Sequence, residues 1–141
     1  MKYKFLKHTA DIKFQAFGKT LEKSFENSAL AMSNSMYEQK VKSKLKKKIN
    51  VSGKNLESLL YNFLEELLFL LDSKGFFVSK IKVKINKNKD EKKNQTELSA
   101  DVFGDNAKNY KIGLDVKAVT YNEMFVKKIN GLWVCQVVID V

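Results

Sequence analysis

Apolar and polar positions follow two rhythms along this chain. Tyr3 and Phe5, then Ile12, Phe14 and Ala16, alternate with polar residues, which predicts two short half-buried strands joined by a turn over residues 8–11. Gly18 ends the second strand, and Thr20 offers a hydroxyl to cap a helix. Leu21, Phe25, Ala29, Met32 and Met36 then recur at helical spacing, with Glu22 and Glu26 off that stripe. From Val41 to Val51 the period returns to two: Val41, Leu45, Ile49 and Val51 take odd positions and lysines most of the even ones, as in a strand with one wet face. Gly53 breaks it. Asn55 is placed to cap the longest helix, which runs to about Ser73 with a broad apolar face from Leu56 to Leu71 and ends at Gly75.

Strand rhythm fills the rest. Ser79, Ile81, Val83 and Ile85 oppose Lys80, Lys82 and Lys84, and Thr96, Leu98, Ala100 and Val102 form the return strand. The polar run 86–95 between them reads as an exposed hairpin loop. Leu114, Val116 and Ala118 predict one further strand, Met124 and Val126 another, and Asn130-Gly131 a tight hairpin turn into a last strand, Leu132 to Val141. The expected fold class is α+β, a two-layer single domain over 1–141 with about seven mostly antiparallel strands and two main helices.

Composition narrows the function classes. A chain of 141 residues suits one domain burying roughly 70% of its unfolded surface. No apolar run approaches a membrane span, and the charged start carries no leader core, so the expected location is cytoplasmic with no membrane partner. The single cysteine, Cys135, excludes an intramolecular disulfide and a Cys-rich zinc site, and its mid-strand position predicts a buried structural thiol. The formal charge is +10, but all 26 basic residues are lysines. Without guanidinium forks, geometric reading of phosphates and bases is not indicated. A solvated lysine surface and a patch that neutralises RNA phosphates both remain open.

Catalytic signatures are missing. Gly53-Lys54 lacks the rest of a P-loop, and one histidine cannot build a multi-histidine metal centre. Two features remain. His8-Thr9-Ala10-Asp11 is a polar cluster at a turn, where Thr9 and Asp11 have an ordinary reading as partners of the turn backbone. The second is Asp140-Val141. An ordered strand here brings the Asp140 side chain close to the α-carboxylate of Val141. Two adjacent negative groups call for a cation between them, either a lysine or a hard divalent ion with a preference for oxygen ligands.

Four ordered blocks now carry a resemblance. "HTAD" at 8–11 with Phe14 and Gly18, "GKNLESLLYNFLEELL" at 53–68, "DVKAVTYNEMFV" at 115–126 and the ending "VVIDV" at 137–141 resemble the archease family across nearly the whole chain. That resemblance implies an archease-like fold and a divalent-metal site built from Asp11, Asp140 and the terminal carboxylate of Val141, with calcium first and magnesium or manganese as alternatives. It also implies that the protein is not itself an enzyme. It would be an accessory activator of the GTP-dependent RNA-splicing ligase in tRNA splicing and RNA repair, promoting guanylylation and multiple turnover of that ligase. His8, Lys117 and Thr120 are expected to help shape the acidic tip, although Lys117 has the alternative of pairing with Asp115 or Asp140. Valine at 141, where the family commonly has isoleucine, is immaterial to a main-chain donor. Two other readings stay open: a chaperone-like adaptor for a tRNA methyltransferase, and a lysine-rich RNA-binding module. The oligomeric state is left open.

Overall fold

A computed structural model describes residues 1–8, 11–37, 39–87 and 95–141. Thr9 and Ala10 of the expected turn, and 88–94 of the expected hairpin loop, lie outside the described residues. The order is β1 (Tyr3–Leu6), β2 (Ile12–Gly18), α1 (Leu21–Met36), β3 (Leu45–Gly53), α2 (Leu56–Lys74), β4 (Phe76–Lys87), β5 (Thr96–Asn106), β6 (Ala118–Ile129) and β7 (Leu132–Asp140). The strands form two antiparallel sheets, one in the order β1-β2-β7-β6 and the other β3-β5-β4. The expected class, seven strands and two helices, holds. Each helix touches both sheets: α1 packs on β2 and β7 and on β4, and α2 on β3 and on β6.

Local chemistry explains the boundaries. Thr20 Oγ1 accepts from the Lys23 N–H at 3.1 Å, satisfying a free donor at the start of α1. Asn55 and Ser58 form a reciprocal capping box on α2, and Gly75 closes it at φ 57°. Asn130 and Gly131 both take positive φ, 50° and 82°, the backbone that lets a two-residue turn match the twist of β6 and β7. The core gathers Phe14, Phe25, Met32, Phe63, Leu64, Val102 and Ile139, all at most 1% exposed. Among the described residues no helix is long and apolar enough to cross a membrane.

Three expected elements differ from what forms. Val41 is buried, but the strand begins only at Leu45; the stretch before it is held by the Lys42 N–H on Tyr110 Oη at 2.9 Å and the Lys44 N–H on the Gly104 carbonyl at 2.9 Å. Leu114 and Val116 belong to no strand. Their segment crosses the end of α1, where the N–H groups of Gly113 and Leu114 reach the Met36 carbonyl at 2.7 and 3.2 Å and satisfy an otherwise open helix end. The stretch from Ala118 to Ile129 is a single strand rather than a strand following another. In it Tyr121, Asn122, Glu123 and Met124 stand opposite the single residue Val137, a bulge that breaks the expected alternation.

Glu26, off the apolar stripe of α1, is nevertheless buried. Its carboxylate accepts from the Val83 N–H at 3.1 Å on the free edge of β4 and from Lys23 Nζ at 3.1 Å. An unpaired strand edge is thereby closed by a helix side chain.

Candidate functional site

Register brings the acidic residues together. The β2–β7 ladder ends with Ile12 opposite Ile139, and Asp11 and Asp140 are the residues that directly adjoin that last pair on the two chains. Asp140 also pairs with Ala118 of β6, and its carbonyl accepts from the Lys117 N–H at 2.8 Å. Directly opposed residues share a face. Alternation therefore puts Asp140 on the outer side of the first sheet, with Lys13, Thr120 and Val138, while Asp11 lies in the bend just before β2. Val141 falls on the opposite side, where its side chain packs against the core. Packing there fixes the main chain that follows Asp140.

Asp11 is half-buried and Asp140 exposed. His8 sits at the same end. Its Nε2 lies 3.0 Å from Glu123 Oε2, and its Nδ1 is 3.9 Å from Asp11 Oδ2. In the neutral ring, Nε2–H donating to Glu123 leaves a lone pair on Nδ1. That atom is buried and has no hydrogen-bond partner among the described residues. An unpartnered nitrogen next to a carboxylate can be completed by a proton facing Asp11 or by a cation.

Glu123 is the residue that the sequence pattern did not single out. It sits in the β6 bulge with φ 53°, a backbone region few non-glycine residues adopt. From there its carboxylate spans to His8 and, at 3.4 Å, to Lys13 Nζ, while its carbonyl accepts from Gln136 Nε2 at 2.7 Å. The hydrogen bond to His8, followed by those with Lys13, holds the Glu123 carboxyl below the usual glutamate range. The available signal was the seven-residue spacing of Val119 and Val126. Both are buried on one face, which strand alternation forbids unless extra residues intervene.

The remaining expected residues have defined roles. Thr120 Oγ1 donates to the Val138 carbonyl at 2.8 Å and accepts from the Asn122 N–H at 3.3 Å, fixing the start of the bulge. Lys117 enters through its backbone, which pins the end of β7. Cys135 is fully buried, donates to Ser24 Oγ at 3.4 Å and has its thiol pushed up to about 11, chiefly by burial. It is the structural cysteine that its position predicts.

The groups at this strand end with the chemistry to hold a cation are the carboxylates of Asp11 and Asp140 and the unpartnered His8 nitrogen. Among the described residues no three His, Cys, Asp or Glu side chains gather into a metal cluster.

Comparison with known proteins agrees with the four sequence blocks. The model of the Archease protein family matches residues 3–141. The archease of Pyrobaculum calidifontis is 36% identical over 141 residues, covering 99% of this chain and 95% of that protein. That of Pyrococcus furiosus is 38% identical over 138 residues, covering 95% and 94%. The solution structure of Methanobacterium thermoautotrophicum Protein 1598 superposes with a TM-score of 0.85 at 33% identity and covers 99% of both chains. A Thermotoga maritima archease, described as a possible chaperone, shares the fold with a TM-score of 0.60 at 19% identity. With a family model spanning all but its first two residues, this chain belongs to the archease family.

Proposed function

We propose that this protein is an accessory activator of a GTP-dependent RNA ligase and acts through the acidic end of the β2-β7-β6 sheet. The observation that supports the reading is that Asp11 and Asp140 directly adjoin Ile12 and Ile139, the last pair of the β2–β7 ladder. Asp11, Asp140 and the terminal carboxylate of Val141 would hold a divalent ion, calcium first. A divalent ion bound to triphosphate lowers its charge and stabilises charge developing in phosphoryl transfer. The chain's own residues supply the rest. Val141 anchors the strand end in the core, the Lys117 N–H fixes the Asp140 carbonyl, and His8 is oriented by Glu123. The end of β7 and the His8 ring are thus held in place before a partner binds, which lowers the ordering cost of docking. In this reading the protein contributes no nucleophile of its own, works in the cytoplasm, and performs its role only with the ligase present.

The test is ligase turnover at limiting ligase, with and without this protein. Wild type should raise turnover, and Asp11→Asn, nearly isosteric, should lose at least about tenfold of that stimulation with little change in thermal stability. Full stimulation by Asp11→Asn would remove the assigned role of Asp11. A methyltransferase recovered as the co-purifying protein, with no effect on ligase turnover, would favour the adaptor reading instead.

A further inference from the structure

The β3-β5-β4 sheet has two faces of opposite chemistry. Ile49, Leu98, Ala100, Val102, Ile81 and Val83 point inward and are buried. Outward, the register aligns four rows across the three strands: Lys46, Phe103 and Lys80; Lys48, Asp101 and Lys82; Asn50, Ser99 and Lys84; Ser52, Glu97 and Asn86. Five ammonium groups share this surface with two carboxylates, Asp101 and Glu97. Lys46 Nζ lies 4.0 Å from Asp101. At one end the ring of Phe103 is half-exposed, with the ammonium groups of Lys46 and Lys80 at 5.7 and 6.0 Å from its centroid.

The surface is grooved. A depression of about 170 Å³ is bordered by Lys48, Lys82, Lys84, Ser99 and Asp101. A larger one, about 480 Å³, is bordered by Asn50, Ser52, Asn86, Glu97 and Ser99. Ser99 lines both, so the groove runs along β5 from a cationic half to a half lined by amides, hydroxyls and the Glu97 carboxylate.

We propose that this outer face binds single-stranded RNA. Lys80, Lys82 and Lys84 stand about 6.8 Å apart along β4, a regular row that can track a phosphate backbone. Charge alone would suit an acidic peptide equally well. Phe103 and the amide half favour a nucleic acid: an aromatic ring on a sheet is a stacking platform for an unpaired base. Asn50, Asn86, Ser52 and Ser99 both donate and accept, as base edges and 2′-hydroxyls require. A duplex keeps its bases stacked internally and cannot use Phe103. Lysines offer no bidentate fork, so the face should be tolerant of sequence. The inference does not depend on the acidic strand end.

The test uses the full chain, fluorescence anisotropy and a short labelled oligouridylate, with duplex RNA, inorganic polyphosphate and polyglutamate as competitors. If about five phosphates are neutralised, log affinity falls with log salt at a slope near −3.5, or about 100-fold between about 50 and 200 mM salt. Replacing Lys80, Lys82 and Lys84 together by glutamine should reduce the slope to about −1.4 and weaken binding at low salt at least about tenfold. Phe103→Leu should weaken oligouridylate at least about fivefold and leave polyphosphate unchanged. Lys46→Gln combined with Lys48→Gln probes the same face from its other edge, should the first variant fail to fold. Unchanged oligouridylate binding by the lysine variants overturns the assignment. So does binding of duplex RNA or polyglutamate as tight as that of oligouridylate, or a silent Phe103→Leu, either of which would point to an unselective polyanion or acidic-protein surface.

Discussion

The end of the first sheet and the outer face of the second carry opposite charge and acquire it in different ways. At the strand end, two aspartates gather because Asp11 and Asp140 each adjoin Ile12 and Ile139, the last pair of the β2–β7 ladder. A shift of that register by one residue would send one of them to the other face. On the second sheet, lysines accumulate by simple alternation: every second residue of β3 from Lys46 to Lys48, and of β4 from Lys80 to Lys84, faces outward. A discrete site should fail on a single substitution, whereas a distributed field should fade in steps. The formal charge of +10 describes the second region and conceals the first.

The largest expected effect tests the discrete side. A C-terminal extension converts the proposed Val141 carboxylate donor into an amide, removing one charge and one oxygen, and leaves a hard cation under-liganded. The extended protein should fold normally, gain less thermal stability from added calcium than the wild type, and fail to stimulate the ligase. An N-terminal extension of the same length should leave both properties intact. Equal stimulation by the two proteins would sink the proposed donor set.

The second effect compares the two faces of one sheet. On β5, Gly104 approaches β4 so closely that an added Cβ would lie 1.8 Å from the Phe77 carbonyl oxygen and 2.9 Å from the Phe76 ring. Neither the carbonyl backbone nor a buried ring can give way cheaply. Gly104→Ala should therefore lower stability by at least about 3 kcal/mol in urea unfolding. The triple glutamine variant of Lys80, Lys82 and Lys84 should stay within about 0.5 kcal/mol of wild type, since all three are exposed. If one methyl group on the inner face proved as harmless as three lost charges on the outer, the packing described for β4 and β5 would be wrong.

The same contrast governs what could be read from sequence. Alternation and caps are local signals, and they located the lysine face, both helices, Gly75 and the Asn130-Gly131 turn. The bulge in β6 is not local, because its cause is how many residues β7 offers opposite it. Glu123 consequently went unnoticed although it orients His8. Glu26 was invisible for a related reason: a carboxylate off the apolar stripe reads as solvent-facing until the free edge of β4 is known to lie against it. Leu114 and Val116 kept the apolar content of a strand while serving the end of α1, since burial alone does not specify which hydrogen bonds a segment makes. At the strand end, Asp11 and Asp140 were each legible, but their meeting required the register.

The smallest expected effect concerns Glu123, which is half-exposed yet held by His8 and Lys13. Its carboxyl lies below the usual glutamate range in the folded protein, first through the His8 hydrogen bond and then through Lys13. A depressed folded value means that the unfolded chain takes up a proton first as pH falls. The stabilisation is therefore complete above the ordinary glutamate value of about 4.3 and disappears as pH drops through the lower folded value. Glu123→Gln keeps an acceptor and the same length but removes the charge. At neutral pH and low salt its melting temperature should fall by about a degree or two, as expected for exposed pairs. That gap should narrow through the acid range below about pH 4, and it should also narrow in high salt, where exposed charges are screened. A gap that stayed constant from neutral to strongly acid pH would mean that the charge of Glu123 does not act on folding. The bulge would then position His8 by hydrogen bonding alone.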